Sequence, residues 1–309
     1  MLLSILIVNY NGKRFLEECL ASVRQYVHCE HEVIIVDNAS ADDSVEYIRA
    51  NFPDVKLIAS PVNTGFTGGN NLAARAATGD LLLLLNNDTL ILSDIQAAVD
   101  QFQQAEIGAA GVHLCYADRR NQASVGYEHT PARMLLSWSG LSGVKALPTW
   151  FRSLETAPEF YQRNHRDVAW VSGAFLLTRR VLWEELGGLD ERYFMYVEDV
   201  DYCRRVRQRG YRIAYLADVH VLHYEGAGKP WIGEAALLRT MNSYALYLGK
   251  YYARPAAWLT KRSLGLLMLA RASAYALRCL TASTTVLQEK RAAYRRAGLF
   301  LLQSGPAAR

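Results

Sequence analysis

Asp80-Leu81-Leu82-Leu83-Leu84-Leu85-Asn86-Asn87-Asp88-Thr89 sets five consecutive leucines between a carboxylate and a polar triplet. Five residues fall far short of the roughly 20 a membrane-spanning helix needs. An unbroken apolar run of this length is what a strand shows when both of its faces are covered. The run reads as a buried strand, and Asn86-Asn87-Asp88 as its mouth. Three similar runs precede it: Leu3–Val8 before Asn9-Tyr10-Asn11-Gly12, Glu32–Asp37 before Asn38, and Val55–Ala59 before the stretch NTGFTGGNN at Asn63 to Asn71. Helix signals alternate with them. Phe15, Leu16, Cys19, Leu20 and Val23 recur at helical spacing; Ser40 with Asp43 has the form of an N-cap and capping-box partner; Asn70–Ala77 runs to Gly79; a fourth helix is expected from Ser93. Such alternation predicts βαβ units and a mostly parallel sheet.

Beyond this half, Cys115–Asp167 is rich in Gly, Ser, Pro and aromatic residues without clear periodicity, and is expected to be irregular or lid-like. Ala169–Thr178 reads as a strand around Gly173, Arg179–Leu186 as a short helix, Glu198–Arg209 as a helix ended by Gly210, and Tyr211–Leu216 as another strand. From Glu234 the chain reads as mostly helical. The expected organisation is a nucleotide-binding half at 1–100, a second half of the same domain at 101–233, and a helical extension at 234–309.

Of the 309 residues 51% are hydrophobic, enough for a core of ordinary size. The cysteines at 19, 29, 115, 203 and 279 are odd in number and contain no CxxC pair, so neither a disulfide framework nor a zinc knuckle is indicated, and a reducing cytoplasm is expected. Met1–Val8 has no basic region before it and stops at Asn9, which is unlike a secretory signal. The net charge of +4 hides an asymmetry: from Ala256 onward nine basic residues face one acid, Glu289. An anionic partner follows for this tail. Its cations are interleaved with Leu264, Leu266, Leu267, Met268, Leu269 and Leu299–Leu302, which favours lipid headgroups over nucleic acid. The longest uncharged stretches, Ser263–Ala270 and Cys279–Gln288, are too short to span, so surface association is expected. The alternative is that these helices pack on the catalytic domain or on a second copy of the chain.

In an open parallel sheet, ligands bind beyond the carboxyl ends of the strands, where loops and helix N-termini converge. Polar residues occupy that edge four times over: Asn9-Tyr10-Asn11, Asp37-Asn38, Asn63–Asn71 and Asn86-Asn87-Asp88. Any one of these could be a turn or a cap; the repetition points to a ligand. A nucleoside diphosphate would use them all. Tyr10 offers a face for a base, Asp37 can accept from an imide N–H or a ribose hydroxyl, and Gly65, Gly68 and Gly69 permit close backbone approach at a helix N-terminus. Asp88 follows a strand buried on both faces, where a carboxylate is costly unless it meets water or a cation such as a hard divalent metal bridging two phosphates. No GxGxxG follows the first strand and no GxxxxGK[ST] occurs, which excludes dinucleotide dehydrogenases and P-loop enzymes.

SILIVNYNG, VIIVDNAS, NTGFTGGNN and LLLLLNNDT, followed by VSGAFLLTRR, GGLDERYFMYVEDVDYCRR and HVLHYEGAG, resemble the family 2 glycosyltransferases of the A-type fold, most of all the rhamnosyltransferase-like branch that builds bacterial cell-wall and surface polysaccharides. The likeness covers Leu3 to Gly228. It implies an α/β fold with a Rossmann-like, mostly parallel central sheet flanked by helices, to which this chain adds the helical extension. It also implies a nucleoside-diphosphate sugar donor (dTDP- or UDP-linked), a glycan or polyprenyl-linked acceptor, and Mg²⁺ or Mn²⁺ on the diphosphate. By the same resemblance Asn9, Tyr10, Asp37, Asn63, Gly69, Asn86 and Asn87 contact the donor, Asp88 is the carboxylate ligand of the metal, and His223 is the late histidine that reaches metal or diphosphate. Asn86 stands where many relatives have an acid. Asp199 matches the acid that deprotonates the acceptor hydroxyl, although acids at a helix start are also favoured by the helix dipole alone. Asp201, two positions on, is about 200° around the helix and faces elsewhere. Two-carboxylate glycoside hydrolysis is a rival chemistry, disfavoured because a glycosidase substrate has no diphosphate. The rival from another class is a catalytically inactive, membrane-associated nucleotide-sugar or glycan-binding protein. The expected setting is the inner face of the cell membrane.

Overall fold

The computed structural model of the chain describes residues 1–141, 158–224, 233–282 and 284–303. These form two compact units, one of residues 1–128, 158–194 and 198–224 and another of residues 129–141, 195–197, 233–282 and 284–303.

The first unit is built on β1 (Leu3–Asn9), α1 (Lys13–Tyr26), β2 (His31–Asn38), α2 (Ser44–Asn51), β3 (Lys56–Ser60), α3 (Gly65–Arg75) and β4 (Leu81–Asn86). The chain goes on through β5 (Thr89–Ile91), α4 (Gln96–Asp100), β6 (Ile107–Cys115) and the short β7 (Val125–Gly126). In chain order α5 (Pro131–Ser139) belongs to the second unit, and β8 (Trp170–Val171), β9 (Phe175–Arg179), α6 (Arg180–Leu186), α7 (Glu198–Gln208) and β10 (Arg212–His223) complete the first. Eight strands form one sheet in the order β3-β2-β1-β4-β9-β6-β10-β5. Strands β1, β2, β3 and β4 pair in parallel, as do β6 and β10, whereas β9 lies antiparallel between β4 and β6 and β5 antiparallel beside β10. Six strands thus run one way and two the other, a mixed sheet that keeps the expected parallel half. All five leucines of β4 are buried, and removing one to alanine would cost about 2–5 kcal/mol. Helix α1 turns Leu16, Cys19, Leu20 and Val23 into the same core.

Register fixes the functional edge. Asn9 lies opposite Asp37, Val8 opposite Asn86 and Asp37 opposite Ala59, so four strand ends finish level with one another. The structure corrects several expectations around that edge. NTGFTGGNN is largely helix, because α3 starts at Gly65 instead of Asn70. Ser40 does not cap α2, which starts at Ser44 after a left-handed Asp43; its hydroxyl instead accepts from the Asn11 N–H. Helix α3 ends at Arg75, and Gly79 serves as a close contact to the β1 backbone rather than as a C-cap. The expected strand around Gly173 is two strands broken at residues 172–174, and β10 runs on to His223. Within Cys115–Asp167, residues 142–157 lie outside the described residues; the rest holds β7 and α5. Glu225 and Gly226 of the late motif are likewise outside them. All five cysteines are free thiols.

The second unit contains α5, α8 (Glu234–Tyr251), α9 (Arg254–Thr281) and α10 (Thr285–Gln303). Thr130 caps α5 by accepting from the Arg133 N–H, with Pro131 in the first turn. Helices α9 and α10 run antiparallel, crossing closely where Gly265 meets Gly298 and stacking Tyr275 on Tyr294 with ring centroids 5.5 Å apart. The two stretches read as too short to span belong in part to one continuous 28-residue helix, α9, which by length and composition alone is long and apolar enough to cross a membrane.

Candidate active site

Asn9, wholly buried at the end of β1, is the hub of the strand-end cluster. Its Nδ2 donates to Asp37 Oδ2 at 2.8 Å and to Ser40 Oγ at 3.2 Å, while its Oδ1 accepts from Asn87 Nδ2 at 2.7 Å. Asp37, also buried, accepts the Ser40 N–H on its other oxygen at 2.9 Å. Both residues therefore organise the mouths of β1, β2 and β4 through the protein's own hydrogen bonds. Gly12 makes room for this arrangement: a Cβ there would lie 2.0 Å from Asn87 Nδ2 and 2.7 Å from Asn9 Oδ1. Tyr10, by contrast, is half exposed and presents its ring beyond the strand end.

The glycine-rich segment does different work from the phosphate cradle its composition suggests. Asn63 Oδ1 accepts from Gly65 N–H at 2.9 Å and from Asn38 Nδ2 at 3.1 Å, and Phe66 N–H donates to the Phe194 carbonyl at 2.9 Å. The first N–H groups of α3 are thus taken by the protein itself. Gly69 packs against Val8, where a Cβ would meet the valine methyls at 2.7–2.9 Å, so its small size brings helix and sheet together.

Asp88 and His223, 135 positions apart, meet because β5 and β10 pair antiparallel with Thr89 opposite His223, and because Tyr224 N–H donates to the Asp88 carbonyl at 2.9 Å. His223 Nε2 lies 3.2 Å from Asp88 Oδ1 and 3.0 Å from Asn86 Nδ2. On the other side of the ring, Nδ1 is 2.9 Å from Gln122 Oε1, and both residues are buried. An amide oxygen can only accept, so Nδ1 carries the proton, and in the neutral ring Nε2 keeps its lone pair. An imidazole lone pair and a carboxylate oxygen therefore converge at one point. That donor set suits a single divalent cation that takes its remaining ligands from phosphate and water. Among the described residues no cluster of three or more His, Cys, Asp or Glu side chains that could hold a metal occurs; Asp88 and His223 stand as a pair.

Asp199, on the first turn of α7, accepts the Gly173 N–H on Oδ2 at 2.9 Å and the Val200 N–H on Oδ1 at 2.8 Å. One residue on from Gly173, the Ala174 carbonyl accepts the Asn86 N–H at 3.1 Å. This break between β8 and β9 thereby ties Asp199 to the mouth of β4. Gly173 leaves space for the Phe66 ring, 3.1 Å from where a Cβ would stand. Immediately before α7 the backbone passes through two successive left-handed residues, Tyr196 at φ 72° and Val197 at φ 71°. A β-branched residue in that region is strained, and such strain gathers at functional sites. Glu198 is buried with Oε2 lacking a partner; burial, with the Asp199 and Asp201 carboxylates alongside, pushes its carboxyl well above the usual range. Asp201 instead pairs with Arg205 at 2.8 Å and is wholly buried, a structural ion pair facing away from Asp199. His220 holds strand β10, its N–H donating to Ser93 Oγ.

Sequence reasoning missed Ser40, Gly12, Gly173 and Gln122. The first three sit inside the quoted motifs, and only the short contacts reveal their work. Gln122 lies in the stretch read as irregular, where the chain folds back on β6 and Gln122 N–H donates to the Leu114 carbonyl. No local signal marks it.

Residues 4–184 match the family description "Glycosyl transferase family 2". The chain belongs to glycosyl transferase family 2. Relatives of this family-2 chain include the N-acetylglucosaminyl-diphospho-decaprenol L-rhamnosyltransferase of Mycobacterium tuberculosis, 28% identical over 85% of the chain and 91% of the relative. Rhamnosyltransferase WbbL of Escherichia coli is 24% identical over 71% and 82%. Among solved structures, the mannosyltransferase PcManGT of Pyrobaculum calidifontis in complex with GDP-Man and Mn²⁺ superposes with a TM-score of 0.57 at 17% identity, covering 97% of this chain and 87% of that one. S. aureus TarS 1-349 in complex with UDP gives 0.52 at 15%, covering 98% and 92%. The family-2 chain has the A-type glycosyltransferase fold, and it is a glycosyltransferase.

Proposed function

We propose that this enzyme moves L-rhamnose from a nucleoside-diphosphate donor, most simply the dTDP-linked sugar, onto a glycan or polyprenyl-linked acceptor with inversion at the anomeric carbon. The observation that carries the chemistry is the short link Asp199–Gly173–Ala174–Asn86, which holds one carboxylate beside the strand end where Asp88 and His223 converge. The choice of rhamnose and of a lipid-linked acceptor is supported by the names of the relatives.

In this reading Asp199 takes the proton of the acceptor hydroxyl. The acceptor oxygen then forms its bond to the anomeric carbon as the bond from that carbon to the diphosphate oxygen breaks, and the electron pair leaves with the diphosphate. One base suffices for one displacement. The two backbone donors on Asp199 fix its oxygens, so the base is oriented before the acceptor arrives. Asp88 and His223 would hold a divalent cation, which when bound neutralises charge gathering on the leaving diphosphate. Tyr10 supports the base of the nucleotide, and Asn9, Asp37 and Asn87 keep the three strand mouths in register beneath it. A lipid-linked acceptor would place the reaction at the inner face of the cell membrane.

The test is release of nucleoside diphosphate from dTDP-rhamnose, UDP-N-acetylglucosamine and GDP-mannose, followed with and without Mn²⁺. Faster release from dTDP-rhamnose, lost in Asp199→Asn, is the expected result. Preference for another donor overturns the rhamnose assignment, and donor binding without release from any of them overturns catalysis in favour of a binding protein.

A further inference from the structure

Helix α9 carries a continuous apolar stripe on its outward side. At 100° per residue, Trp258, Leu259, Leu266, Leu277 and Leu280 fall within about 100° of arc, and each is between 49% and 82% exposed. Single exposed leucines are ordinary on a soluble surface, but a line of them along one 28-residue helix marks a contact face. The stripe continues into an open groove of about 470 Å³ between α5 and α9, lined by Leu135, Leu136, Leu266 and Leu267. These two helices carry Arg133, Arg254, Arg262, Arg271 and Arg278, with Lys261 buried and Arg271 donating to the Trp138 carbonyl, and not one carboxylate. Arg262 stands within the stripe, its guanidinium 5.6 Å from the centre of the Trp258 ring.

We propose that this face rests on an anionic bilayer, with α9 lying in the plane of the headgroups. Apolar side chains then enter the acyl boundary while Arg262, which stands among them, meets lipid phosphate, and Trp258 sits at the level where an amphipathic ring is favoured. Although α9 is long enough to cross, its inner side is committed elsewhere. Leu264, Met268 and Ala272 are buried, and Gly265 lies against Gly298 of α10, whose other residues include Glu289, Lys290, Arg291, Arg295 and Arg296. Crossing would draw that charged helix into hydrocarbon. A second copy is disfavoured as the cover because a two-fold contact sets the same patch against itself, cation against cation.

The full chain is tested by flotation with vesicles of phosphatidylcholine, alone or mixed with phosphatidylglycerol. Binding to the anionic vesicles is expected to be at least about tenfold tighter than to the neutral ones and to weaken in high salt. Leu266→Glu with Leu277→Glu is expected to lower it about a hundredfold, with melting temperature and donor hydrolysis unchanged because both side chains lie outside the core. Equal binding to both vesicle types, or a double variant that floats like the parent, overturns the proposal. So does protein that resists carbonate extraction, which would mean crossing. So does a lipid-free dimer that the double variant dissociates, which would mean a second copy covers the face.

Discussion

Gln122→Met separates the pairing that orients His223 from the ligand pair itself. The side chain is buried and its Oε1 lies 2.9 Å from His223 Nδ1. Methionine fills the same space without an acceptor, leaving a buried N–H unpaired at a cost of about 1–3 kcal/mol. The imidazole can avoid that cost by moving its proton to Nε2, which then donates to Asp88 Oδ1, 3.2 Å away. In doing so it gives up the lone pair a cation needs. Loss of such an orienting partner typically weakens metal binding by about 10–100-fold, or about 1.4–2.7 kcal/mol. Gln122→Glu supplies an acceptor again and should bind at least as well as the parent. Mn²⁺ titration followed by electron paramagnetic resonance, with a nucleoside diphosphate present, measures this without turnover. A methionine variant that holds Mn²⁺ as tightly as the parent would refute the reasoning.

Asp199→Asn keeps size and the Gly173 contact but cannot accept a proton, so turnover should fall by about 10² to 10⁴ while nucleotide affinity, measured by calorimetry, stays within about twofold. Gly12→Ala pushes Asn87 from Asn9 and should cost about 1–3 kcal/mol in denaturant melts, with weaker donor binding; an unchanged melt would show that the cluster tolerates rearrangement. Glu198 holds its proton in the folded chain well above the 4.5 at which it ionises when unfolded. Between those two values the unfolded chain binds fewer protons, so stability falls as pH rises through that window and then levels off. Glu198→Gln should flatten this slope and melt higher than the parent at neutral pH; parallel curves for the two proteins would show that Glu198 does not titrate there.

The parallel half of the sheet was readable because its strands are apolar without interruption and end in polar clusters. The antiparallel insertion of β9 was not, since FLLTR carries no mark of direction and pairs with leucines 94 positions away at its centre. At the site, Asp88 stood out by its place after a strand buried on both faces, while His223 and Asp199 were marked by the resemblance of their motifs. Their division of labour was hidden: Asn9 and Asp37 read as donor contacts, yet burial makes them the bracing of the strand mouths. Gly69 read as phosphate-facing, yet Val8 covers it. A helix N-terminus looks like an anion site until one sees that Asn63 and the Phe194 carbonyl already occupy its first donors.

The position of β9 also governs the order in which the chain can come together during synthesis. Strands β1 to β4 are complete once residue 86 has emerged, but the far edge of the all-leucine β4 finds its partner only when residues 175–179 arrive. Until then the nascent chain presents an open, uncharged, strongly apolar strand edge, the kind of template on which chains add to one another. A chain truncated before β9 keeps that edge permanently, so residues 1–100 would not be a separable module.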